Sequence, residues 1–152
     1  MDTFLLIPNV DGNSTVIGYQ KQFLIQSLSF GGVIVAQTNG TNKTSFTSVT
    51  VGQDAVFNSP TLMLVMARQQ NLGRVVITQT LSGYNKLVPL NVYSLSNAVL
   101  AGYSQSLDNI SPFEQLSFVF TRVALTQYAY NQNLELIDKD THYWDISSNT
   151  GF

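Results

Sequence analysis

Residues 113–130 read FEQLSFVFTRVALTQYAY, the longest strand-like stretch in the chain. Leu116, Phe118 and Phe120 share one parity, so an extended backbone puts them on one face. The apolar set moves to the other parity at Val123 and Leu125, and returns at Tyr128 and Tyr130. A strand that changes its buried face carries a bulge or passes from one sheet into another. Small barrels and two-sheet sandwiches are built that way, and this stretch sets the fold class.

Upstream of it the period of two recurs. In Arg74 to Leu81, Val75, Ile77 and Leu81 share a face, with Arg74, Thr78 and Thr80 on the other. Ser82-Gly83-Tyr84-Asn85 reads as a turn. Leu87 to Leu95 is a strand in which Pro89 marks an edge or a bulge. Ser96-Asn97 breaks it, Ala98 to Ser104 is the next strand, and Gln105 to Ser111 is a loop. Towards the N-terminus, Phe4 to Ile7, Gln22 to Phe30 and Ser45 to Val51 read as strands. Val33 to Lys43 (VIVAQTNGTNK) ends in turn formers around Asn39-Gly40 and reads as a protruding loop or hairpin tip. A last short strand is expected at Tyr143 to Ile146.

One helix is expected at about residues 60–72. Ser59-Pro60 places an N-cap before a proline at the first helical position, and Gly73 stands where a C′ glycine belongs. Leu62, Val65, Met66 and Leu72 share the face that meets the core, while Met63 and Leu64 lie off it. The residues alone thus describe an all-β chain. It is a small antiparallel β-barrel or two-sheet sandwich of about eight strands with one flanking α-helix. It is one domain over residues 1–152, with a short C-terminal tail at 147–152.

Composition bounds the function. The chain has 152 residues, of which only 11% are charged, and its net charge is −2. A typical protein carries about twice that share or more. Either the surface is one of Ser, Thr, Asn and Gln, or much of it is hidden against partners, since interface cores are depleted in charge. There is no basic run to neutralise nucleic-acid phosphates or an anionic membrane. There is no cysteine, which excludes disulfides and thiolate metal sites. The start, MDTFLLIPNV, lacks a basic n-region and a long apolar run, so a soluble cytoplasmic product is expected.

Catalytic chemistry finds few candidates. His142 is the only histidine, and no Gly-x-Ser-x-Gly elbow is present. Asp138, Asp140 and Asp145 suggest a calcium loop only loosely, since an EF-hand's sixth and twelfth positions fall on Tyr143 and Asn149. Glu114 and Glu135 are the only glutamates, and nothing in the sequence brings two carboxylates together. Phosphate-binding glycine loops are absent. No catalytic residue, cofactor or metal is expected, and the chain reads as a non-enzymatic module that assembles with copies of itself.

Three stretches, read together, carry a resemblance. The first is Phe4 to Phe30 with Asp11-Gly12-Asn13-Ser14 as its turn and Ser27-Leu28-Ser29-Phe30-Gly31 as its end. The second is Asn58-Ser59-Pro60 with its helix, Gly73, and Val75-Val76-Ile77. The third is Tyr93 to Ser104, then Ser111-Pro112-Phe113-Glu114-Gln115-Leu116-Ser117-Phe118-Val119-Phe120. In order and spacing, from about Phe4 to Asp145, they resemble the Hcp family of type VI secretion systems. The resemblance departs in having fewer Lys and Glu, and more Asn and Thr between Gly31 and Ser45. It implies a structural tube subunit: six small barrels form a ring, and rings stack inside a contractile sheath that drives the tube and a VgrG-type spike outward. Small effectors ride in the lumen, and the protein leaves a Gram-negative cell without a cleaved signal peptide. On this reading Val35, Gln37, Asn39, Asn42 and Lys43 form a ring-stacking loop, and Met63, Leu64 and Arg68 meet the neighbouring subunit. Two rivals stand beside it. One is the tube of a phage-like contractile particle. The other is a monomeric carbohydrate-binding sandwich using Tyr84, Tyr103 and Trp144 as a platform.

Overall fold

The structure is a computed structural model and describes residues 1–36, 42–46, 48–107 and 112–152. Among them are thirteen strands and one helix. The strands before the helix are β1 (Thr3–Leu6), β2 (Phe23–Ile25), β3 (Ser27–Ser29), β4 (Gly32–Val35), β5 (Lys43–Phe46) and β6 (Val49–Asp54). The helix is α1 (Ser59–Ala67). After it come β7 (Val75–Gly83), β8 (Lys86–Ser96), β9 (Val99–Ser106), β10 (Phe113–Val119), β11 (Arg122–Tyr130), β12 (Leu136–Asp145) and β13 (Thr150–Gly151). A seven-stranded sheet runs β13-β12-β11-β8-β7-β1-β2, a four-stranded sheet runs β3-β6-β10-β9, and β4 and β5 form a separate hairpin. Every pairing is antiparallel.

The parity change in residues 113–130 is a passage between sheets. The stretch breaks at Phe120-Thr121, leaving β10 in the four-stranded sheet and β11 in the seven-stranded one. Glu114, Leu116 and Phe118 point to the core from β10, and Val123 does so from β11. The N–H of Thr121 donates to Ser96 O at 3.0 Å and pins the crossing. The same event splits Gln22 to Phe30, expected as one strand. Gln26 separates β2 from β3, and its N–H donates to Gly52 O at 2.8 Å. Ser45 to Val51 is likewise divided between β5 and β6. These three divisions, each a run of one apolar composition serving two sheets, with β4 in the expected hairpin tip and β13 in the expected tail, account for the excess over eight strands.

Between the sheets lies the core. Leu5, Phe23, Ile77 and Leu95 meet Val49, Val51, Leu100, Leu116 and Phe118, all fully or almost fully buried. Each such side chain contributes about 1.5–3 kcal/mol on leaving water. Pro89 stands at the bulge where the β7–β8 register shifts between Gln79 and Thr80.

The helix is shorter than the sequence suggests. It ends at Ala67, with Arg68 as its C-cap and Gln69 at φ +52. Residues 71–73 lie against the start of β9: the N–H of Leu72 donates to Ala98 O, and that of Ala98 to Gly73 O. Leu72 therefore reaches the core from this return and not from α1. The N-cap is Asn58, not Ser59, and Pro60 falls in the first turn. The Ser59 hydroxyl instead donates to Val56 O and accepts from the Val56 N–H. The expected tail at 147–152 is also folded. It turns at Ser147–Asn149 and returns as β13 onto Trp144 and Asp145, with Phe152 against Tyr143.

Candidate functional site

Three parts of the molecule present groups that the fold does not use internally. The first is the outer side of α1. Leu62 and Val65 are buried and Met66 packs against the core, so the opposite side faces water. There stand Pro60, Met63 (51% exposed), Leu64 (43%), Ala67 and Arg68, with Phe57 (79%) just before the helix. Arg68 is the only charge in this group, and it makes no ion pair among the described residues. A helix that is apolar all round is buried in its working state. Adjacent exposed apolar residues mark an interaction surface.

The second is the β4–β5 hairpin. Its register pairs Gly32 with Phe46 and Val35 with Lys43. Phe46 stacks on Phe30 with ring centroids 5.6 Å apart, and a Cβ at Gly32 would lie 2.7 Å from the Phe46 ring. Glycine is needed there so that the ring can lie flat on the backbone. Of the expected stacking residues, Asn42 and Lys43 are exposed at the start of β5, and Val35 closes β4. Gln37 and Asn39 lie outside the described residues. Val33 and Ile34 (71% exposed) add an apolar strip that the sequence reading passed over. The signal available was the run Val33-Ile34-Val35 beside a turn, with no core partner implied by period.

The third is the pair of outer strands of the four-stranded sheet. β3 and β9 each pair with one neighbour in that sheet. Beyond the bridge from Asn71 to Val99, the outer side of β9 is free of strand partners among the described residues. β9 holds no charge and no proline, so nothing blunts it against pairing. The seven-stranded sheet differs at its β13 end, where the two-residue β13 leaves most of the β12 edge uncovered and β12 carries Asp138, Lys139 and Asp140 along it.

Among the described residues, chemistry-bearing side chains do not converge on any of these parts. His142 Nε2 lies 3.0 Å from Asp140 Oδ1, and both side chains are exposed on β12. Asp145 turns away from Asp138 and Asp140. It accepts from Ser147 Oγ at 2.6 Å and from the Ser148 N–H at 3.1 Å, and pairs with Arg122 at 3.4 Å. Those bonds hold its carboxyl at about 2, below the usual 3.8, the Ser147 and Ser148 donors acting before Arg122. Glu135 sits in the β11–β12 connection of the seven-stranded sheet, bonded to Asn131, while Glu114 is buried on β10 of the four-stranded one. The aromatic platform is not formed either. Tyr84 is exposed at the β7–β8 turn, while Tyr103 and Trp144 pack against the core.

The family pattern described as "Type VI secretion system effector, Hcp" matches residues 4–127. That is most of the chain. The chain belongs to the Hcp family. Curated proteins compared by sequence give no match. Solved structures share the fold. A type six secretion system protein superposes with a TM-score of 0.88 at 18% identity, covering 99% of both chains. Hcp1 from Salmonella typhimurium gives 0.81 at 18% identity, covering 99% of this chain and 98% of its own. Hcp2 from the same organism gives 0.76 at 15%, covering 99% of each. Hcp is a secreted, structural tube protein of type VI secretion systems and not an enzyme, and this chain is such a tube subunit. The family match sets aside the carbohydrate-binding reading and favours a type VI tube over that of another contractile particle. No described helix of this Hcp chain is long and apolar enough to cross a membrane.

Proposed function

We propose that this Hcp chain closes into rings of six and that the rings stack into the inner tube. The observation that carries the proposal is the apolar outer side of α1, at Met63 and Leu64, on a subunit with so few charges. In a closed ring each subunit offers one surface and receives a different one. The helix face is the surface offered, with Arg68 at its rim. The outer strands β3 and β9 support the same reading, since backbone groups left without a partner favour pairing with a neighbouring chain. The hairpin carrying Val35, Asn42 and Lys43, with Gln37 and Asn39 between its strands in sequence, reaches the next ring.

The partners beyond copies of itself are a VgrG-type spike at the tube tip, the contractile sheath around it, and small effectors in the lumen. The subunit is cytoplasmic until assembly, in a Gram-negative bacterium, and leaves with the tube.

Light scattering behind a sizing column, over a range of concentrations, tests the ring. Support is a species near six times the 16.8 kDa chain mass. A monomer at every concentration sinks the proposal.

A further inference from the structure

One buried acid in the fold has no ionic partner. Glu114, on β10, is 1% exposed, and so is Gln53 opposite it on β6. Gln53 Nε2 donates to Glu114 Oε1 at 2.6 Å, and the Tyr103 hydroxyl on β9 donates to Glu114 Oε2 at 2.8 Å. The carboxylate thus ties together the three strands β6, β10 and β9, the last of which is an outer strand of its sheet. Ser59, the first residue of α1, is buried beside the Tyr103 hydroxyl. Among the described residues no Lys, Arg or His pairs with Glu114. The groups bonded to it are Tyr103 from β9 and Gln53 from β6, with Ser59 of α1 beyond the Tyr103 hydroxyl, and of these only Tyr103 titrates. The neighbouring Asp54 is exposed and bonded to Gln26 instead.

A second observation concerns the same cluster. Gln53 Oε1 is buried and has no hydrogen-bond partner. A buried acceptor left empty is costly, and native folds keep few of them. Beside a carboxylate it has a use. When Glu114 carries a proton it needs an acceptor for its O–H, and a turn of the Gln53 amide presents Oε1 to it. Tyr103 continues to donate to the other oxygen. The cluster therefore has two hydrogen-bond arrangements, one for each protonation state of Glu114. The ionised arrangement uses charge-assisted bonds, which are roughly twice as strong as neutral ones. Two arrangements biased by one proton make a switch element.

We propose that Glu114 is a proton-sensitive fastener that holds β9, an outer strand open to self-association, to β6 and β10. With Glu114 ionised, β9 is held in the position that assembles. With Glu114 protonated, the hold on Tyr103 weakens and self-association falls while the subunit stays folded. This rests on the ring reading for its partner, which is a second copy of the chain. No covalent step is involved, and the proton is exchanged with solvent.

The test is Glu114→Gln, whose amide has the donor and acceptor pattern of the protonated acid. Oligomer mass and thermal midpoint are measured on wild type and variant from about pH 8 down to about pH 3, a span that takes ordinary carboxyl groups from ionised to protonated. The expected result is that wild type loses oligomer on acidification. The variant is folded but needs at least about tenfold more protein to assemble at neutral pH, the scale of one bond to a charged group, and its assembly does not change over this range. A variant that loses oligomer on acidification as wild type does, or that assembles as well as wild type at neutral pH, overturns the fastener. If Glu114→Gln does not fold, Tyr103→Phe serves. It removes the hydroxyl that the carboxylate holds, so at neutral pH it too must need at least about tenfold more protein to assemble, and assembly equal to wild type overturns the idea. A wild type that is monomeric throughout loses the ring reading instead. The thermal midpoint against pH then decides the proton link alone: a difference between wild type and variant supports it, and coincident curves end it.

Discussion

At the scale of single residues, Asp145 shows how a local bond set becomes a pH dependence. Its carboxyl titrates at about 2 in the fold, against an ordinary 3.8, because Ser147, Ser148 and Arg122 favour the charged form. A lowered value means the fold gains from the ionised state. That gain is complete above about 3.8 and is lost as pH falls towards about 2. Asp145→Asn removes it. Its thermal midpoint is expected below wild type at neutral pH, with the gap closing as pH drops into that window. Midpoints taken through the acid range check this, and a gap of constant size counts against it. The Arg122 guanidinium also lies over the Tyr143 ring at 4.5 Å, so Arg122 holds the β13 return from two sides. Tyr103 offers a second residue-level test. Burial first, and then its bond to Glu114, push its hydroxyl above 10. A raised value means the contribution is complete below about 10 and is lost as pH rises through the higher folded value. Tyr103→Phe is expected to flatten the alkaline fall in thermal midpoint relative to wild type.

At the scale of elements, the β7–β8 hairpin turns on Tyr84 and Asn85, both left-handed at φ +49 and +56, with Gly83 paired to Lys86. Two central residues with positive φ make a type I′ turn, which matches strand twist. Asparagine tolerates that backbone; tyrosine is strained in it. Tyr84→Asn is expected to stabilise by about 1 kcal/mol, a rise of about 2–4 °C in thermal midpoint for a chain of this size. A fall shows that the exposed ring has a packing role. On β10 the effect is opposite in sign. Phe118 is fully buried between the sheets, and Phe118→Ala is expected to cost about 3–5 kcal/mol by denaturant unfolding. A cost below about 1 kcal/mol means the core collapses around the gap and the two sheets are not rigidly spaced.

For the whole molecule, stability and assembly ought to separate. Met63 and Leu64 lie outside the core, so Met63→Glu with Leu64→Glu leaves the subunit's own packing intact. Placed in an interface, two desolvated carboxylates without partners are not tolerated. The double variant is expected to elute as a folded monomer under conditions where wild type forms rings. A variant that still elutes as a ring removes the helix face from the interface and leaves the strand edges β3 and β9 to carry it. The same separation makes the Glu114 experiment readable, because it compares oligomer mass with thermal midpoint in one protein.

Some of this was open to a reader of the residues alone. Period two in Val75 to Leu81, the parity change between Phe120 and Val123, and the Ser-Pro start of the helix are local patterns. They report which side of the backbone meets apolar neighbours, and that is enough for an all-β class with one helix. Met63 and Leu64 were legible for the same reason, since the helical period leaves them off the core face. The helix end was not. Gly73 stood at a plausible stop, but Gln69 turns the chain earlier because residues 71–73 pair with the start of β9, a partner about 27 positions away. Nor does a pattern of parities say which strands end up at the edges of a sheet, or that Val33 and Ile34 have no core to enter. Gln53, Tyr103 and Glu114 look like ordinary polar residues in their own strands. Only the pairing of β6, β10 and β9 encloses them together, because burial and hydrogen bonding between distant strands depend on closure of the sheets and not on any neighbour in sequence.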